Sequence, residues 1–181
     1  MRKSLSVILI VFIFIGFLVS LQYSKTYNVS NKQKDIEISL EEFLLKSGFR
    51  NITIDIKSVA DIDNKKYVLF NANNLLVYAE FIKGFNNKYK IRCADFGCIN
   101  ISNEVIETNK GRYFLSIGRK ANEKIKYIIA SIEFKKYKLE LPKEEYFITY
   151  CIVDPKASMA EWVVYYYDEN NKDITDEVLS K

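Results

Sequence analysis

The feature that most constrains this chain is an uncharged apolar run near its N-terminus. From Ser4 to Leu21 there are 18 residues without a charge, and 14 of them are Val, Ile, Leu or Phe. As a helix that rises about 1.5 Å per residue, the run would be roughly 27 Å long, close to the hydrocarbon thickness of a bilayer. The sequence therefore predicts a transmembrane segment over residues 1–22, with residues 4–21 in contact with the membrane.

The residues around this run predict its orientation and its fate. Arg2 and Lys3 precede it, which favours a cytoplasmic N-terminus in a single-pass protein of the cell membrane, with the C-terminal domain outside. An uncleaved signal anchor is favoured over a removed signal peptide, because Leu18 and Leu21 stand where a small residue is expected before a cleavage site. Secretion after signal cleavage stays open as the alternative.

Composition excludes several function classes. The chain has no histidine, so Ser-His-Asp and Cys-His nucleophile sets and imidazole-bound zinc are excluded. Beyond residue 22 there are 25 basic and 23 acidic residues, a net charge of +2, which gives no argument for a nucleic-acid partner. Ile, Lys and Asn make up 60 of the 181 residues, a bias that fits an AT-rich bacterial genome.

A polar segment and one short helix are predicted next. Residues 23–35 are rich in Ser, Asn and Lys, which is typical of a tether between a membrane and a domain. Ser39 and Glu42 match the S-x-x-E capping box, Leu40 begins an apolar spacing of helical period, and Gly48 supplies a left-handed stop.

From residue 50 onward the pattern is that of β-structure. Ile52, Ile54 and Ile56 alternate with polar residues, which indicates a half-buried strand. Nine apolar or aromatic runs follow between turn signals: Lys66 to Phe70, Leu75 to Ile82, Tyr89 to Cys93, Glu104 to Glu107, Arg112 to Ile117, Lys126 to Phe134, Tyr137 to Leu141, Tyr146 to Ile152 and Trp162 to Tyr167.

The predicted fold is therefore mainly β: an N-terminal transmembrane helix, one short helix, and then an antiparallel β-meander or β-sandwich. Residues 50–93 are expected to form a meander that the helix backs, with a hairpin turn at Asn73-Asn74. Residues 100–168 are expected to add about six strands, which close as an Ig-like sandwich. The β-rich domain spans residues 36–181, with a subdivision near residues 97–100.

Three cysteines are an odd set in a compartment that permits disulfides. The short loop between Cys93 and Cys98 makes a local disulfide geometrically reasonable, and Cys151 is the alternative partner. Buried free thiols remain open as the other interpretation. A zinc site would need a fourth ligand, and no histidine exists to supply it.

Aromatic residues near the C-terminus offer a candidate ligand-stacking surface. In a strand, Tyr165 and Tyr167 share one face, and Trp162 begins the same run. Such residues could stack on a sugar or dock a peptide, and cross-strand pairing in the core is the alternative. No catalytic, metal-binding or cofactor-binding residue is predicted, and no cofactor.

Two stretches of the chain resemble a known group of proteins. Residues 67–96, which contain Glu80-Phe81-Ile82-Lys83-Gly84-Phe85-Asn86 and Tyr89-Lys90-Ile91, and the ending at residues 167–175 are similar to uncharacterised small membrane-anchored proteins of low-GC Gram-positive bacteria. The resemblance covers roughly residues 60–175. It implies an envelope location, and it assigns no functional residues.

The sequence thus predicts a membrane-tethered extracytoplasmic binding domain without enzymatic activity, whose partner is an envelope protein or a cell-wall component. The alternative is a secreted or anchored module that binds sugar or peptide through surface Tyr and Trp. A second alternative is a hydrolase that uses carboxylates alone, which requires two acidic side chains about 5 to 9.5 Å apart in a cleft.

Overall fold

A computed structural model describes residues 2–96, 100–120 and 124–180, with side chains from residue 10 onward. Its helices are α1 (Arg2–Thr26), α2 (Gln33–Lys46) and α3 (Thr175–Leu179). Its strands are β1 (Ile54–Ile62), β2 (Lys65–Ala72), β3 (Leu75–Lys83), β4 (Tyr89–Asp95), β5 (Ile101–Glu107), β6 (Arg112–Arg119), β7 (Tyr127–Ile132), β8 (Lys135–Glu140), β9 (Tyr146–Ile152) and β10 (Trp162–Tyr167). The prediction of a mainly β fold is confirmed.

The N-terminal run is helical, as predicted. Its apolar side chains from Ile10 to Leu21 are largely exposed on every side of α1. Among the residues that the structure describes, no helix is long and apolar enough to cross a membrane.

Helix α2 begins earlier than its capping signal suggests. It starts at Gln33, so Ser39 lies inside the helix and the predicted capping box is wrong. Lys32 precedes the first turn without a side-chain cap. Ser30 lies just before it, where its hydroxyl contacts the Asp35 carboxylate and accepts the Lys32 N–H at 3.2 Å.

Tertiary burial explains the earlier start of α2. Ile36, Leu40 and Leu44 lie four residues apart and form a buried stripe against the first sheet. This stripe extends one turn beyond the residues that the capping signal marks. The helix ends at Lys46, and Gly48 follows with φ of +95°, which confirms the predicted stop.

Strands β1 to β4 form sheet A, an antiparallel meander in the order β1-β2-β3-β4. The hairpin between β2 and β3 turns at Asn73 and Asn74, whose φ angles are +49° and +72°. A type I′ hairpin turn needs two such left-handed residues, and asparagine tolerates this conformation better than most residues. The predicted meander and its turn are confirmed.

The remaining strands form two three-stranded antiparallel sheets. Sheet B has the order β5-β6-β9, and sheet C has the order β10-β7-β8. They pack face to face over a core that includes Phe114, Ile128 and Phe147. Residues 100–168 thus supply the six strands that the sequence predicts, and their closure as an Ig-like sandwich stays a prediction. The subdivision predicted near residues 97–100 lies mostly outside the described residues.

The elements stack as four layers in the order α2, sheet A, sheet B and sheet C. In β2, Val68 packs toward α2, while Tyr67 and Leu69 pack toward sheet B. In β6, Leu115 packs toward sheet A, while Phe114 packs toward sheet C. Both inner sheets are therefore buried on two faces, which is why these strands read as continuous apolar runs.

The segment that the sequence presents as a polar tether, residues 23–35, is docked on sheet A. Val29 pairs with Tyr89 through two backbone hydrogen bonds of 3.0 and 2.8 Å. The Tyr23 hydroxyl accepts the Phe85 N–H at 2.6 Å. Backbone pairing and a side-chain hydrogen bond fix this segment, so it is not a free linker.

Candidate functional site

The outermost layer, sheet C, presents an aromatic face to solvent. Alternation along β10 divides its side chains between two faces. The outward face carries Tyr165, which is 37% exposed, and Tyr167. Strand pairing places Ile129 beside Tyr165 and Tyr127 beside Tyr167. These four residues are called the tyrosine face.

Two tyrosines of this face form an ordered pair. The rings of Tyr127 and Tyr167 stack with centroids 5.0 Å apart and planes 6° apart. The Tyr127 hydroxyl donates to Asn171 Oδ1 at 2.9 Å, and Lys138 Nζ lies 4.0 Å from the Tyr127 ring centroid. Burial raises the pKa of Tyr167. The pair is held in place, and Tyr165 stands next to it with an accessible ring.

The structure separates Trp162 from the tyrosines with which the sequence grouped it. Trp162 lies on the inward face of β10, where it meets the Phe114 ring edge to face at 5.8 Å and 79°. It belongs to the core between sheets B and C. Of the three predicted stacking residues, only Tyr165 and Tyr167 share the outer surface.

The cysteines lie in different layers. Cys93 is in β4 and Cys151 is in β9, and both are free and partly buried. Burial raises the pKa of Cys151 to about 11, so this thiol is protonated and unreactive near neutral pH. Cys98, and with it the predicted Cys93–Cys98 disulfide, lies outside the described residues.

Sequence reasoning missed a buried group of charges between sheets A and B. Glu80 of β3 points toward sheet B with 4% of its side chain exposed. Its carboxylate lies 3.0 Å from Lys65 Nζ and 3.3 Å from Arg92 Nε, and it accepts the Tyr67 hydroxyl at 3.2 Å. These four residues, with Glu104 of β5, are called the ionic cluster.

Burial raises the pKa of two members of this cluster, Glu104 and Tyr67. Repulsion from Glu80 adds to the effect on the pKa of Glu104. Because its pKa is raised, Tyr67 stays protonated and donates to Glu80. The Tyr78 hydroxyl lies 3.4 Å from Glu104 Oε1.

This arrangement resembles a structural ion cluster more than a catalytic pair. Glu80 is neutralised by Lys65 and Arg92, and its carboxylate is almost inaccessible. A signal for it exists in the sequence, since Glu80 interrupts an apolar strand at a position that alternation assigns to the interior.

Metal-binding groups and surface clefts are two further kinds of candidate site. No group of three or more His, Cys, Asp or Glu in the described part of the chain could hold a metal ion. A cleft of about 630 Å³ is lined by Lys126, Lys143 and Arg119, with Glu145 on one wall. Arg119 pairs with Glu145 at 2.6 Å, and the other charged residues of the lining are lysines, so the cleft carries a net positive charge.

No protein-family model, curated protein or solved structure matches the chain.

Proposed function

We propose that the protein is a binding domain without enzymatic activity, held at the cell membrane by α1 and displayed outside the cell, where it binds an envelope protein or a cell-wall component. The N-terminus lies in the cytoplasm in this arrangement. The uncharged run of residues 4–21 supports it, together with Arg2 and Lys3 ahead of the run.

The single observation that carries the proposal is the exposure of α1. Its apolar side chains between residues 10 and 21 are uncovered by the rest of the chain; Phe12 is 68% exposed and Phe14 is 60% exposed. A contiguous apolar surface of this kind marks an interaction with a membrane or another protein. The apolar side chains lie all around α1 and not along one side only. This favours lipid as the partner, because lipid surrounds a helix evenly.

The layer order supports a binding role for the domain. The segment after α1 docks on sheet A, whereas the tyrosine face belongs to sheet C at the other end of the stack. A partner could therefore reach the tyrosine face while α1 is held in lipid.

Cell fractionation with protease treatment tests this function. The full chain with a C-terminal epitope is produced in a Gram-positive host, and intact cells are treated with proteinase K. We expect the epitope to stay in the membrane pellet after carbonate washing and to be lost from intact cells. A protected epitope would show that the domain is not outside, and release by carbonate would show that α1 does not hold it in the bilayer.

A matched pair of variants ties the result to α1. Ile13→Lys places a charge in the middle of the run and is expected to move the protein into the soluble fraction. Ile38→Lys changes an apolar residue of α2 that is 46% exposed, and it is expected to leave fractionation unchanged.

A second function, binding of sugar or peptide, is favoured by the tyrosine face. Tyr165 offers an accessible ring beside the stacked pair Tyr127 and Tyr167. Cosedimentation with cell-wall fragments tests it: Tyr165→Ser is expected to weaken binding. Tyr150→Ser, which changes a tyrosine 42% exposed on β9, is the control. Equal binding by both variants would show that the tyrosine face is not the binding site for these fragments.

A further inference from the structure

The turn between β3 and β4 carries a fully exposed aromatic side chain beside the end of α1. Phe85 is 98% exposed, and its ring lies 6.2 Å from the ring of Tyr23, with the two planes 22° apart. The Phe85 N–H donates to the Tyr23 hydroxyl at 2.6 Å, and the Asn86 side-chain amide donates to the Tyr27 carbonyl at 2.9 Å. The turn is therefore fixed to the end of α1.

Gly84 makes this close approach possible. A Cβ at this position would lie 2.6 Å from the Tyr23 hydroxyl and 2.7 Å from the Tyr27 ring. Glycine thus lets both tyrosines pack directly on the backbone of the turn. The rings of Tyr23 and Tyr27 stack at 4.6 Å, and Lys90 Nζ lies 5.1 Å from the Tyr27 ring centroid.

Lysines are frequent in the elements next to the exposed phenylalanine. Four lysines lie on the last turn of α1, on either side of the β3–β4 turn and at the start of β4: Lys25, Lys83, Lys88 and Lys90. Within the described residues, none of the four forms an ion pair. Asp61, which accepts the hydroxyl of Tyr89 at 3.3 Å, is already paired with Lys66 at 2.6 Å. The charge of the four lysines is therefore available to an anionic partner.

We propose that Tyr23, Tyr27, Phe85 and these four lysines form a second membrane contact, which binds the surface of an anionic bilayer. We call it the turn contact. It rests on the proposed attachment of α1 to lipid. The uncharged run ends at Leu21, and Tyr23 follows two residues later, about 3 Å further along the helix axis. Tyr23 and the turn fixed to it therefore lie at the level of the membrane–water interface.

Each part of the turn contact suits that level. Tyrosine rings favour the membrane–water interface, and an exposed phenylalanine gains from insertion among the lipid headgroups. Lysine ammonium groups next to the surface are attracted to anionic phosphates. Because the turn and α1 are joined by hydrogen bonds and ring stacking, the two contacts together would hold the β-domain in one orientation on the bilayer.

Tryptophan depth measurements test the turn contact. The full chain is reconstituted into vesicles of phosphatidylcholine and phosphatidylglycerol, with and without brominated acyl chains. Phe85→Trp places a reporter in the turn, and Phe134→Trp is the matched control, because Phe134 is an equally exposed residue of the β7–β8 turn. Both variants retain Trp162 as a common background.

We expect brominated lipid to quench Phe85→Trp at least about two-fold more than Phe134→Trp, since interfacial residues lie some 5–10 Å into the headgroup region. Equal quenching of the two variants, with the protein still floating with the vesicles, would overturn the turn contact and leave the attachment of α1 intact. Failure of wild-type protein to float with the vesicles would overturn the attachment of α1 and the turn contact with it.

Two further variants test the parts of the turn contact in the Phe85→Trp background. Lys88→Glu is expected to lower quenching in anionic vesicles, whereas Lys136→Glu, at an exposed lysine of β8, is not. Gly84→Ala is expected to separate the turn from α1 and to reduce quenching while flotation persists. Unchanged quenching in both Lys88→Glu and Gly84→Ala would contradict the turn contact.

Discussion

A single buried carboxylate is central to the packing of sheets A and B. The side chains of Glu80 and Lys65 are 4% and 12% exposed, and their charged atoms are 3.0 Å apart. Glu80→Ala leaves the Lys65 ammonium buried without its counter-charge. We therefore expect the free energy of unfolding to fall by about 3 kcal/mol, measured by urea denaturation followed by circular dichroism.

An exposed ion pair provides the control for this effect. Glu140 pairs with Lys138 at 2.7 Å with 59% of its side chain exposed, so Glu140→Ala is expected to change stability by less than about 1 kcal/mol. The double variant Lys65→Met/Glu80→Leu removes both charges of this pair and is expected to recover most of the loss. A loss in Glu80→Ala no larger than in Glu140→Ala would contradict the role of the ionic cluster.

Glu104 makes the stability of the folded protein depend on pH. Burial and, next, Glu80 raise its pKa above the ordinary value of 4.5. The folded state therefore holds this proton more tightly than the unfolded chain, and stability falls as pH rises from the unfolded value through the raised folded one. We expect Glu104→Gln to gain stability relative to wild type across that window, measured by urea midpoints at a series of pH values. A stability difference between Glu104→Gln and wild type that does not vary with pH would contradict the raised pKa of Glu104.

The sequence marks Glu80 as unusual but does not predict its partners in the ionic cluster, because those depend on strand register. Lys65 and Lys66 follow a turn and are typical of a solvated strand end. Only the pairing of Tyr67 with Glu80, and the stacking of sheet B on that face, brings these charges together. The faces of β10 depend on packing in the same way. Alternation correctly places Trp162 and Tyr165 on opposite faces of the strand, but only the position of sheet B determines which face is buried.

At the scale of elements, two turns lock sheets A and B together. The Thr108 hydroxyl donates to Asp63 Oδ2 at 2.6 Å, and the Asn109 N–H donates to Asn64 Oδ1 at 2.9 Å. The bond from Thr108 lowers the pKa of Asp63. We expect Thr108→Val to reduce the free energy of unfolding by about 1 kcal/mol at neutral pH, measured by urea denaturation.

The pH dependence of that loss identifies its cause. A lowered pKa stabilises the fold above the unfolded value, and this stabilisation disappears as pH falls through the folded pKa of Asp63. The difference between Thr108→Val and wild type should therefore shrink in acid. Thr149→Val, which removes an exposed hydroxyl bonded to the Glu140 carbonyl at 3.3 Å, is expected to show little loss at any pH.

Elements with a clear local pattern were predictable, and those decided by packing were not. The bounds of β9 and β10 agree with the sequence, because each is an apolar run between turns. The start of α2 differs, because burial of Ile36 on sheet A outweighs the capping signal at Ser39. The docked segment of residues 23–35 differs for a related reason: its anchor, Val29, is one apolar residue in a polar stretch.

At the scale of the whole molecule, the sequence predicted the number of strands but not their stacking. Strand β9 pairs with β6, and β10 pairs with β7, across long stretches of chain. Such pairings leave no local signal. As a result, sheet B contributes to two hydrophobic cores, one against sheet A and the other against sheet C.

This sharing predicts that the β-domain unfolds as one unit. Leu115 is fully buried in the core between sheets A and B, whereas Trp162 packs in the core between sheets B and C. Leu115→Ala is expected to cost about 2–5 kcal/mol. Because sheet B belongs to both cores, the urea transition seen by Trp162 fluorescence should shift as far as the one seen by circular dichroism. A fluorescence transition that stays at the wild-type midpoint would mean that sheet C unfolds independently of sheet A. Val163→Ala, at a side chain 54% exposed, should move neither transition.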